Sequence, residues 1–111
     1  MLVAAAALAG PAAATTSSPA TIRPLSLDPV VVAGRSFQPQ ERVKVTVATA
    51  DGRWVRRVVA TVRGAFTVRF PDVTMDVHCG FSGSISAVGS SGSRAAWKVP
   101  PMECPPPLGV Q

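Results

Sequence analysis

Val43, Val45 and Val47 alternate with Arg42, Lys44 and Thr46, and the run ends at Asp51-Gly52, after which Val and Arg resume. Strict period-two patterning marks a strand with one buried and one wet face. Asp-Gly between two such runs is the strongest short-range signal for a hairpin. From Thr21 to Val99 the chain keeps this strand-like character. It is rich in Val and Thr, punctuated by Gly, Pro and Asp, with no sustained helical period and no internal repeat. The pattern excludes helical and α/β folds.

Seven short strands can be placed. The first, 21–27, contains Pro24, which confines it to a sheet edge or a kink. A second apolar strand, 30–33, follows Asp28-Pro29, and a loop over 34–40 carries one large apolar residue, Phe37. After the alternating strand 42–47, the stretch 53–63 is less regular. Pointing Val55, Val58, Ala60 and Val62 inward requires a bulge at Arg56-Arg57, which turns both arginines and Trp54 to solvent. A regular strand would put Arg56 on the face of Trp54 and Val58, where burial is costly. Phe66, Val68 and Phe70 alternate inward with Thr67 and Arg69, 73–80 reads as a crossover loop, and strands at 81–88 and 94–99 flank a flexible loop, 89–93. Trp97 falls on the inward face of the last strand. Strands at this spacing indicate an all-β, immunoglobulin-like Greek-key β-sandwich, with a small closed barrel as the structural alternative.

With 111 residues the chain allows one domain. An uncharged apolar run, a Gly10-Pro11 break and an Ala12-Ala13-Ala14 site make 1–14 a secretory signal, too short to span a bilayer. Residues 15–20 form a polar Ser/Thr/Pro linker, 21–104 the sandwich and 105–111 a Pro-rich tail. In an exported chain two cysteines favour one disulfide, Cys79–Cys104, over a metal or redox site. Closing that loop stabilises the domain by about 3.5 kcal/mol on the chain-entropy estimate.

The segment Gly34-Arg35-Ser36-Phe37-Gln38-Pro39-Gln40-Glu41-Arg42-Val43-Lys44-Val45 resembles the Gly-x-x-Phe-x-Pro-Gly-Glu-x-Val-x-Val signature of secreted bacterial immunoglobulin-like domains. Similar strings occur in IPT/TIG-like modules and in neocarzinostatin-like apoproteins of actinobacteria. Gln40 departs from the pattern, which has Gly there. The resemblance implies an immunoglobulin-like sandwich in a secreted, actinobacterial setting. The neocarzinostatin-like proteins carry chromophores and have two disulfides, whereas this chain has cysteines for one.

Composition narrows the chemistry. One His and six Asp+Glu leave few groups for acid–base or metal sites. His78-Cys79 lacks the partners for a zinc shell, and Gly80-Phe81-Ser82-Gly83 lacks the spacing of a nucleophile elbow. Asp72 and Asp76 read as solvated turn residues. No nucleotide or calcium motif is present, so the expectation is a non-enzyme with no cofactor. Eleven Lys+Arg, nine of them Arg, give a net charge of +5. Arg53, Arg56, Arg57, Arg63 and Arg69, with Trp54 beside them, are the candidate site for an anionic partner. Anionic cell-wall polymer or another secreted protein fits this patch. Nucleic acid does not, because the chain is exported and its few aromatics alternate inward. The expected function is non-catalytic binding or structure, secreted or at the cell surface, without a transmembrane segment. Carriage of a small apolar ligand is the alternative and needs a Phe- and Val-lined pocket.

Overall fold

The structure, a computed structural model, describes residues 18–105. The expected signal at 1–14, residues 15–17 of the expected linker and residues 106–111 of the Pro-rich tail lie outside the described residues. Within them the chain is all-β: β1 (Thr21–Leu27), β2 (Val30–Arg35), β3 (Arg42–Thr49), β4 (Gly52–Val59), β5 (Phe66–Phe70), β6 (Gly83–Gly89) and β7 (Arg94–Lys98). They form two antiparallel sheets, β1-β2-β5 and β4-β3-β6-β7. Three hairpins, β1–β2, β3–β4 and β6–β7, each stay within one sheet, and the connections after β2, β4 and β5 cross between sheets.

Alternation along the strands builds the core. Val30 and Val32 on β2 and Phe66, Val68 and Phe70 on β5 belong to the same buried cluster as Val43, Val45 and Val47 on β3 and Ile85 and Ala87 on β6. Phe37 closes one end by meeting Phe66 edge to face, with ring centroids 5.1 Å apart. Gly34 is the inward residue of β2 beside that ring, and a Cβ there would overlap Phe66. At the other end Cys79 and Cys104 are bonded, with Cα atoms 5.1 Å apart, so the extended tail is held to the loop before β6.

Two expectations need correction. The β3–β4 turn is one residue earlier than Asp51-Gly52 suggests: Thr49 pairs with Gly52, leaving Ala50-Asp51 as the two-residue connection. There is also no bulge at Arg56-Arg57. The β3–β4 register is unbroken from Arg42↔Val59 to Thr49↔Gly52. Trp54, Arg56 and Val58 therefore share the face of Val43, Val45 and Val47, while Val55 points outward and is 44% exposed. Val62 lies in the 60–65 connection, 67% exposed, and not on an inward face. The physical reason is the sheet edge. β4 is the outermost strand of its sheet, with a neighbour on one side only, so Arg56 on its inner side remains exposed and the desolvation cost that favoured a bulge does not arise. Trp54, expected to face solvent, is instead half-buried and packs against the core.

Candidate functional site

The unbroken registers of β4-β3-β6-β7 fix which side chains share the outer face of this sheet. Three cross-strand rows follow. The first is Arg57–Lys44–Val88–Arg94, the next Val55–Thr46–Ser86–Ala96 and the third Arg53–Ala48–Ser84–Lys98. Beyond the first row, Val59 pairs with Arg42. The face thus carries six cations, Arg42, Lys44, Arg53, Arg57, Arg94 and Lys98, and no acid. The cations border a central row of small, neutral side chains. With strands about 4.8 Å apart, the face is roughly 14 Å wide, and successive rows lie about 7 Å apart along the strands.

Charge is segregated by element. Of the chain's acids, Asp28, Glu41, Asp51, Asp72, Asp76 and Glu103, none lies in a strand, whereas every cation except Arg63 does. Strand cations alternate with core residues and project outward, except Arg56 on the inner side of the edge strand β4. The Asp residues fall in turns and loops, Asp28, Asp51 and Asp72 in turns and Asp76 in the connection before β6. Opposite charges that could neutralise the face are therefore displaced to the ends of the sandwich.

At one corner of the face an open depression of about 530 Å³ is lined by Arg42, Lys44, Arg57, Val59, Val88 and Ser90. It combines two exposed apolar side chains, Val59 and Val88, with three cations. Its rim is held by Glu41, which is 3% exposed. Glu41 Oε2 accepts the Ser91 N–H (2.7 Å) and the Ser93 N–H (3.4 Å). Glu41 Oε1 accepts the Gln38 N–H (2.8 Å) and the Ser93 hydroxyl (2.7 Å). The Gly89-to-Ser93 loop expected to be flexible is thus tied at two residues to the β2–β3 loop, and Arg94 follows it directly. Burial pushes the Glu41 carboxyl up, but the donors from Gln38, Ser93 and Ser91 outweigh it and hold the group below its ordinary value.

The arginines singled out by sequence do not converge. Arg53 and Arg57 lie on the cationic face. Arg56 projects from the opposite side of β4, beside Trp54 and a second open depression of about 290 Å³ that also involves Phe70, Pro71 and Asp72. Arg69 is on the outer face of β1-β2-β5, where it pairs across from Val31, and Arg63 is in the 60–65 connection. Arg42, Lys44, Arg94 and Lys98 complete the face and are missed by the sequence reading. The alternation of β3 already places Arg42 and Lys44 opposite its valines, but nothing local joins them to Arg94 and Lys98. That requires knowing that β6 inserts between β3 and β7.

The valines that a carrier's pocket would need are packed against the opposing sheet: Val30, Val32, Val45 and Val47 are each 0% exposed. His78 is exposed, its Nδ1 2.7 Å from the Cys79 carbonyl and its ring edge-on to Phe81. Among the described residues no three His, Cys, Asp or Glu side chains gather as metal ligands, and no helix is long and apolar enough to cross a membrane. Comparison with protein-family models, curated proteins and solved structures finds no match to this chain.

Proposed function

We propose that this chain is a non-catalytic binding module that works outside the bacterial cell and holds an anionic polymer against the outer face of β4-β3-β6-β7. The observation that carries it is the face itself: six cations, no acid, and a neutral middle row. A surface open on all sides suits a chain passing over it better than a small ligand, which needs enclosure to bury most of its area. Arg at four of the six positions favours ligands whose phosphate or carboxylate oxygens accept paired N–H donors. The disulfide and the apolar leader at 1–14 are in keeping with export. The strand orders suit an immunoglobulin-like sandwich, a scaffold that presents binding surfaces without supplying chemistry.

The test is retention on immobilised poly(glycerol phosphate). The chain is expected to bind at about 50 mM salt and to elute steeply as salt rises, because binding of this kind rests on counterion release. Replacing Lys44, Arg57 and Arg94 by Ser should abolish retention. Replacing Arg23, Arg35 and Arg69, which lie on the other sheet, should leave most of it. Equal loss in both variants would reduce the effect to net charge and overturn the assignment of the face.

A further inference from the structure

We propose that β4 is a docking edge, to which an extended acidic segment of a partner protein adds as a fifth strand. The proposal stands on the backbone edge of the sheet, whereas the polymer reading concerns its face; the two share Arg53 and Arg57.

A two-sheet sandwich has four edge strands, here β1, β5, β4 and β7. Each exposes backbone N–H and C=O groups that could pair with another chain, and stable proteins block such edges. Three are blocked by their backbones. Pro24 sits inside β1, and the β1–β2 register shifts between Pro24 and Ser26. β5 is five residues long and runs into Pro71; β7 is also five and is followed by Pro100-Pro101. β4 is different: eight residues, no proline, no bulge, one register with β3 throughout. Its backbone makes no hydrogen bond to β5, which approaches it on the inner side, and the charges that line it are Arg53, Arg56 and Arg57. Charge is a selective guard. It repels the same edge of a second copy and attracts a strand carrying acids.

The side-chain directions say what that strand must look like. Arg53 and Arg57 point to the outer face and Arg56 to the inner, beside the half-buried Trp54. An antiparallel partner would meet Arg57, Arg56, Val55, Trp54 and Arg53 in that order. The complementary run is therefore acid, acid, apolar, apolar, acid, with the first two acids on opposite faces. On the inner side, the depression against Phe70, Pro71 and Asp72 gives the residue opposite Trp54 room to seat. Main-chain bonds would supply affinity and the alternating side chains specificity, as in other strand-addition interfaces.

The probe is an acetylated, amidated peptide with the core Glu-Glu-Val-Val-Glu flanked by Thr on both sides, titrated into the isotopically labelled chain at about 150 mM salt, where long-range attraction is screened. Two control peptides carry N-methyl groups on alternate residues, one set on each edge of the peptide. Strand addition predicts that the parent peptide slows amide exchange at alternate β4 residues and not along β7. It also predicts that one N-methyl isomer binds like the parent while the other loses at least tenfold. Arg56→Glu should weaken the parent by a similar factor, and replacing Lys44 and Arg94 by Ser should leave its affinity unchanged. No binding by the parent peptide would overturn the proposal. So would equal binding by both isomers, the signature of electrostatic adsorption to the face, and that result would leave the polymer reading intact.

Discussion

Gln40 takes φ 58°, in the left-handed region that L side chains adopt at a cost of about 1–2 kcal/mol. It holds that conformation because its neighbours leave no choice: its N–H donates to the Thr61 carbonyl (3.0 Å), and Ala60 donates to the Glu41 carbonyl (2.8 Å). The signature that this segment resembles has Gly at this position, and the backbone gives the reason. Gln40→Gly is expected to stabilise the fold by about 1 kcal/mol, less whatever the freer unfolded chain takes back; a denaturant midpoint that falls would contradict it. Next to it, Glu41 links the β2–β3 and β6–β7 loops through one buried carboxylate. A carboxyl held below its ordinary value of 4.5 contributes stability that is complete above that pH and is lost as pH falls through the folded-state value. Thermal melts of the wild type should therefore show a loss of stability on acidification from about pH 5 downward. Glu41→Gln should be less stable at neutral pH, since it keeps the shape but not the charge-assisted bonds, and its stability should depend less on pH over the same range.

Among the elements, β4 shows best what can and cannot be read from sequence. Period-two alternation places β3 and β5 with their correct inner faces, because both are central or covered and their apolar residues all meet the other sheet. The same reasoning fails on β4. It assumes that an inner face is a buried face, so the arginine beside Trp54 has to be removed by a bulge. The assumption breaks at an edge strand, and whether a strand is an edge depends on the strand order of its sheet and not on its own residues. The candidate site suffers for the same reason: arginines adjacent in sequence, such as Arg56 and Arg57, point to opposite sides, while Arg57 and Arg94, 37 positions apart, share a row. The charge on β4 nevertheless has a consequence at the scale of the strand. With Arg53, Arg56 and Arg57 all replaced by Thr, a strand former without charge, the edge keeps its regular backbone and loses its guard. Sedimentation should then show stronger concentration-dependent self-association than the wild type shows; a triple variant that associates no more than the wild type would mean that something other than charge protects β4.

Over the whole molecule, acids at the ends and cations on the sheet faces amount to a trade of stability for field. Lys44 lies directly between Arg57 on β4 and the Val88–Arg94 pair, with Arg42 two residues away on its own strand. Like charges directly opposite on neighbouring strands destabilise a sheet. Since the Debye length shortens from about 30 Å at 0.01 M salt to about 8 Å at 0.15 M, salt should relieve part of that repulsion and raise the melting temperature over this range. A sheet shaped by stability alone would place Glu or Thr at position 44, and the residues around it impose no contrary demand: Lys44 is exposed and its row continues through the apolar Val88. Lys44→Thr is therefore expected to stabilise the fold by about 0.5 kcal/mol and to flatten the salt dependence of the melt, while weakening retention on an anionic polymer severalfold. If the cations were only a solubility device, the variant would gain stability at no cost to binding. The opposition of the two effects at one residue is what a binding role for the face requires.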